Sequence, residues 1–144
     1  MLVSMDHKCS LQLSASERLP GSAGASPASL LTRVLFRIFD ALCCGAILLD
    51  SRKVPIHLNE RARKCFRATL SVSRGPLCAT DRSSHVLFQT VLDRMLKYGQ
   101  SHRDWRREAV ALQRSDGTAM ICRVIPVEEE ARGGLDGAAL VVAR

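Results

Sequence analysis

Aromatic side chains are scarce in this chain: one Trp, one Tyr and four Phe make up 4% of 144 residues. Single-stranded nucleic acid is held on stacked aromatic platforms, and here only His102-Arg103-Asp104-Trp105-Arg106-Arg107 sets an aromatic among cations. That cluster reads as a solvated, charged connection. Long apolar runs are also missing. The longest, Ala41 to Leu49, falls far short of the roughly 20 residues that a membrane-spanning helix requires. Met1 to Lys8 lacks the apolar stretch and cleavage site of a secretory signal, so the expected compartment is the cytoplasm. None of the six cysteines (Cys9, Cys43, Cys44, Cys65, Cys78, Cys122) forms a C-x-x-C pair, and no His stands at metal-ligand spacing from them. A zinc site is therefore not expected, and these thiols read as small apolar side chains. The chain contains no phosphate loop, no G-x-S-x-G elbow and no H-E-x-x-H helix, which removes the common nucleotide-binding, hydrolase and metalloprotease signatures.

What is present is a 47% apolar composition with a net charge of +7. This length suits one domain and a tail. Residues 1–28, with Gly21-Ser22-Ala23-Gly24-Ala25-Ser26-Pro27, have linker composition, and 29–144 form the expected domain. From Leu31 to Leu42 the apolar residues Leu31, Val34, Leu35, Ile38, Phe39 and Leu42 recur at helical spacing, opposite Arg33, Arg37 and Asp40. Ser29 is the expected cap and Gly45 the expected stop.

The stretch Gly45 to Asn59 reads as a β-hairpin. Ala46-Ile47-Leu48-Leu49 is short, apolar and ended by Asp50, as a buried strand is. Val54, Ile56 and Leu58 then alternate with Pro55 and His57, so His57 is expected in solvent. Pro55 cannot donate to a ladder, which places the second strand at an edge. Asn59 caps a second helix, with Glu60 favourable in its first turn and Ala62, Cys65, Phe66, Thr69 and Leu70 on its apolar face. Ser71 to Ala79 reads as loop. Thr80 or Asp81 caps a third helix that turns Phe88, Val91, Leu92 and Met95 inward and exits at Gly99. Ala109–Gln113 and Thr118–Val127 flank Ser115-Asp116-Gly117, a tight-hairpin signal, and Ala138–Ala143 is apolar on both faces, as a central strand is. The arrangement that satisfies this is α+β: a five-stranded antiparallel sheet ordered 2-1-5-4-3, with helices on one face and a flanking N-terminal helix.

The helix leading into Gly45-Ala46-Ile47-Leu48-Leu49-Asp50, the strand ending in Asn59 before a helix with Ala62, the Ser115-Asp116-Gly117 turn, Ile125-Pro126-Val127 and the closing Ala139-Leu140-Val141-Val142 together resemble a PAS domain. More narrowly, the pattern is similar to the sensory domain that precedes the helix-turn-helix of bacterial LuxR-type transcription regulators, over residues 30 to 144. Such regulators continue into a DNA-binding helix pair, whereas this chain stops at Arg144, so a stand-alone or truncated sensor without direct DNA binding is expected. The resemblance implies a pocket between sheet and helices for a small apolar ligand, or for none. It also directs attention to two cofactor candidates. Flavin-binding relatives use an Asn-Cys-Arg-Phe sequence, which Lys64-Cys65-Phe66-Arg67 does not reproduce. Haem-binding relatives place a histidine on a helix over the sheet, where His85 is the candidate. The sequence names no cofactor beyond these.

A nucleophile set of Asp50, His57 and Cys65 has nothing to make it converge, so no catalytic residues are expected. The expectation is a non-enzymatic signalling module. It would form a homodimer, or bind a partner regulator, through Leu31, Val34, Leu35, Phe36 and Phe39, because the first helix carries more apolar surface than one sheet face covers. The alternatives are a basic nucleic-acid-associated regulator, whose affinity would fall steeply with salt, or a small enzyme of unknown reaction.

Overall fold

Two apolar segments nearly a hundred residues apart meet at the middle of one sheet. Strand β1 (Gly45–Leu49) pairs antiparallel with β7 (Ala139–Ala143) along its whole length, with Ala46 opposite Val142 and Leu48 opposite Leu140. The computed structural model describes residues 27–72, 75–98, 108–127 and 139–144. Most of the tail, the side chain of Ser29, Gly99, the cluster at 102–107 and the charged connection at 128–134 lie outside the described residues.

The protein is α+β. In chain order its elements are α1 (Pro27–Ala41), β1, β2 (Pro55–Leu58), α2 (Glu60–Cys65), β3 (Leu70–Val72), β4 (Leu77–Ala79), α3 (Arg82–Tyr98), β5 (Ala109–Gln113), β6 (Ala119–Pro126) and β7. Five of the strands form one antiparallel sheet in the order β2-β1-β7-β6-β5, and β3 pairs only with β4. Among the described residues two of seven strands were not foreseen, so in sequence numbers the order reads 2-1-7-6-5 and not 2-1-5-4-3. The loop expected over Ser71–Ala79 is in fact this small hairpin, with Leu70 opposite Ala79 and Val72 opposite Leu77.

The second helix ends early because Phe66 already acts as its C-cap, its N–H reaching Ala62 O. The N–H groups of Thr69 and Leu70 then both turn back to Phe66 O, at 3.0 and 2.8 Å. Leu70 consequently opens a strand and does not extend the helical face. At the first helix the stop is Cys43, which takes φ 55° while the N–H of Cys44 bonds Phe39 O at 2.9 Å. That left-handed closing residue was expected at Gly45.

Gly45 serves a different purpose. A Cβ there would overlap Cys65 Sγ and come within 3.1 Å of both Ala62 Cα and the Phe66 ring. The bare backbone lets α2 lie directly on β1. Gly45→Ala is expected to lower stability by about 1–3 kcal/mol, the usual cost of overpacking a close contact. A chemical-denaturation midpoint unchanged from the parent would show that α2 yields freely.

Helices α2 and α3 cover one face of the sheet, where Phe66, Phe88, Leu92, Met95, Leu112, Val124 and Val141 are fully buried. Each such side chain contributes about 1.5–3 kcal/mol by leaving water. Asp81 caps α3, its Oδ2 accepting the Ser84 N–H at 2.8 Å, a bond that holds the Asp81 carboxyl below its ordinary range. Helix α1 lies on the opposite face, over Ala46, Leu48 and Leu140. The sheet is thus covered on both faces at its β1–β7 side.

Candidate interaction surface

Phe36 is the residue by which α1 holds the sheet. It is only 3% exposed, packs with Ala46, Leu48 and Leu140, and meets the His57 ring edge-on at 4.4 Å between centroids. Phe39 closes on it at 6.1 Å, and Leu35 packs half-buried beside them. The five residues expected at an interface therefore divide. Leu35, Phe36 and Phe39 turn inward to the chain's own sheet, while Leu31 and Val34 are each 50% exposed on the outward side. Leu30, Ile38 and Leu42 share that outward side and are also half or more exposed.

Helical geometry explains the division. At about 100° per residue the apolar positions make one broad arc, from Phe36 through Phe39 and Leu35 to Leu31, Ile38, Val34 and Leu30, so its Phe36 end meets the sheet while the rest turns outward. An ordinary surface helix has one apolar stripe and one polar side. This helix is apolar over most of its circumference, with Arg33 and Arg37 on the flank nearest α2.

Between that flank, β2 and the start of α2 runs an open groove of about 260 Å³, lined by Arg33, Arg37, Arg63, Asp40, Glu60 and His57 among others. Its floor is fastened by Asn59. The Oδ1 of this buried side chain accepts the N–H groups of Ala46 (2.9 Å) and Ala62 (2.8 Å), and its Nδ2 donates to Cys44 O at 2.7 Å. The capping role was legible in the sequence. The tie back to the start of β1 was not, because it joins positions 13 and 15 residues apart. On the outward side a second, shallower groove of about 400 Å³ is lined by Leu30, Val34, Ile38 and Ala41, with Arg33 and Arg37 along its edge.

His57 was expected in solvent, and the structure places it half-buried against Phe36. An edge strand is wet on one face only while nothing crosses that face; here α1 does. Cys65 lies on the other side of the sheet, lodged against Gly45 within the α2 core. Its thiol is pushed up by burial, with Arg61 opposing, which is the reverse of an activated nucleophile. Burial raises the Cys122 thiol to about 12. Asp50 is occupied by the β1–β2 turn, its Oδ1 accepting the N–H groups of Arg52 and Val54, both at 2.8 Å. Asp50, His57 and Cys65 are not brought together.

In that turn the left-handed residue is Lys53 (φ 67°), a position where glycine is usual. Its Nζ reaches Gln89 Oε1 at 2.9 Å and Asp93 Oδ1 at 2.6 Å, so the side chain links the hairpin to α3. His85, in the first turn of α3, is half-buried, with an Nδ1 that has no hydrogen-bond partner among the described residues. Among the described residues no helix is long and apolar enough to cross a membrane. Comparison of the chain with known protein families and with curated proteins returns no match.

Proposed function

We propose that the chain is a non-catalytic sensory and protein-interaction module of PAS type, of the kind that precedes the DNA-binding domain of LuxR-type regulators, and that it acts through α1. The observation that carries this reading is that the apolar arc of α1 is wider than the sheet covers. One end of the arc meets the sheet, and the rest leaves Leu30, Leu31, Val34 and Ile38, with Leu42 just past the helix end, at 50–58% exposure. Contiguous apolar surface of this kind marks a docking site. What supports the PAS element of the proposal is the α+β architecture, a five-stranded antiparallel sheet with helices packed on it.

The test is association. Protein purified from its own host should elute from gel filtration, with light scattering, at a mass above 15.8 kDa, as a dimer or a complex. Ile38→Glu should return it to the monomer mass without changing its melting temperature, since exposed substitutions shift stability by about 0.5 kcal/mol or less. A parent protein that is monomeric at high micromolar concentration, in host extract as well, removes α1 as a docking surface.

A further inference from the structure

The charges beside the exposed stripe are one-sided. Arg33 and Arg37 stand one turn apart on the flank of α1 nearest α2, and Arg63 faces them across the 260 Å³ groove. Two carboxylates share this groove, and both have neighbours of their own. Asp40 Oδ1 accepts the Arg61 backbone N–H at 3.3 Å, and Glu60 lies 3.6 Å from Lys64. Among the described residues none of the three guanidiniums forms an ion pair. Arg33 and Arg37 also edge the apolar groove of Leu30, Val34, Ile38 and Ala41. An apolar trough therefore runs beside a row of cations.

Resting on the reading of α1 as a docking surface, we infer that its partner is an acidic amphipathic helix. Leucine-type anchors at helical spacing enter the trough, and a row of Asp or Glu along one flank meets Arg33, Arg37 and Arg63. Residues 30, 34, 38 and 41 follow the spacing of helix-in-groove recognition. Guanidinium groups pair with carboxylates in a planar fork, which gives the contact direction as well as attraction. Exposed pairs contribute little affinity each, so the arginine row chiefly selects the partner and speeds its arrival.

A second copy of α1 fits less well. Packed antiparallel through the stripe, two copies set the Arg33–Arg37 flank of one against the same flank of the other. Packed parallel, that flank meets the Leu31 and Leu42 side. Antiparallel packing brings only Asp40 of each copy toward the other's arginines, and that carboxylate already accepts the Arg61 N–H; parallel packing brings no carboxylate, and each copy carries a net charge of +7.

The experiment titrates the full chain into two fluorescein-labelled helical peptides of about five turns. Both carry the same leucine stripe; one has Glu along its flank and the other has Lys. The Glu peptide should bind about tenfold or more tightly over the Lys peptide, with the gap narrowing at about 0.5 M salt. The double variant Arg33→Glu, Arg37→Glu should weaken the Glu peptide about tenfold and favour the Lys peptide, while Ile38→Glu should abolish both. Equal binding of the two peptides, lost on Ile38→Glu, overturns the acidic partner and leaves α1 a docking surface. Self-association through the stripe with neither peptide bound makes a second copy the occupant and overturns the inference. No binding and no association remove both readings. A single-stranded RNA that competes as well as the Glu peptide puts nucleic acid in the groove and likewise overturns it. Every substituted side chain is exposed, and a circular-dichroism melt confirms the fold of each variant.

Discussion

Phe36→Glu should destabilise the protein by about 3–5 kcal/mol, the cost typical of removing a buried Phe, and lower its melting temperature by on the order of 10 °C. The ring is buried against Ala46, Leu48 and Leu140 and sits edge-on to His57. A carboxylate there loses the packing of the ring, and it meets Arg33, Arg37 or Arg63 of the adjoining groove only by leaving the contact with Ala46, Leu48 and Leu140, so relief comes from lifting α1 off the sheet. The cost is then bounded by the docking of α1, and the core under α2 and α3 survives. Amide exchange should show protection lost across α1 and at His57 and kept at Phe88 and Leu92. Val34→Glu, two residues away and half exposed, provides the control and should stay within about 0.5 kcal/mol of the parent. Equal melting temperatures for the two variants would mean that α1 is not held by this contact. The comparison also separates stability from association, because Phe36 faces the sheet and Val34 faces outward.

Asn59→Ala carries the second large effect, about 2–4 kcal/mol. Loss of a helix cap alone costs about 1 kcal/mol. Here the same oxygen also accepts the Ala46 N–H, and the amide nitrogen satisfies Cys44 O. Asn59 is 3% exposed, so its orphaned partners gain no easy access to water, which adds about 1–3 kcal/mol. Asn59→Asp keeps the two accepted bonds and loses the donated one, setting an oxygen where Nδ2 lies 2.7 Å from Cys44 O. It should therefore be destabilised less than Asn59→Ala and more than the parent, as read from urea midpoints. If Asn59→Asp matches the parent, the bond to Cys44 contributes nothing; if Asn59→Ala does, the side chain is a cap of ordinary weight at most.

Local patterns were readable where the chain meets its own neighbours. Asp116-Gly117 turns the β5–β6 hairpin as its residue types require, with Gly117 at φ 84° and Asp116 Oδ1 accepting the Thr118 N–H at 2.9 Å. Pro55 lies on an edge strand, beside a bulge between Leu48 and Leu49. The β3–β4 hairpin escaped because its strands are three residues each, too short for alternation to declare itself. The stop at Cys43 escaped because glycine is the usual left-handed residue, and Gly45 stood close enough to be mistaken for it. The placement of His57 escaped because alternation tells which side chains leave one face, not what covers the other.

Acting alone, the sequence determined most helices and strands but not the β3–β4 hairpin, that the apolar runs 46–49 and 138–143 suit central strands, and that the first helix carries surplus apolar surface. Those properties follow from periodicity and residue type within a few turns. Only the tertiary structure decided which side of that helix meets the sheet. The apolar arc is too wide for the helical wheel to single out its inward part, and the choice falls to the shape of Ala46, Leu48, Leu140 and His57, which accepts the Phe36 ring. The outward turn of Val34 and Ile38, and the row of arginines beside them, follow from that single contact.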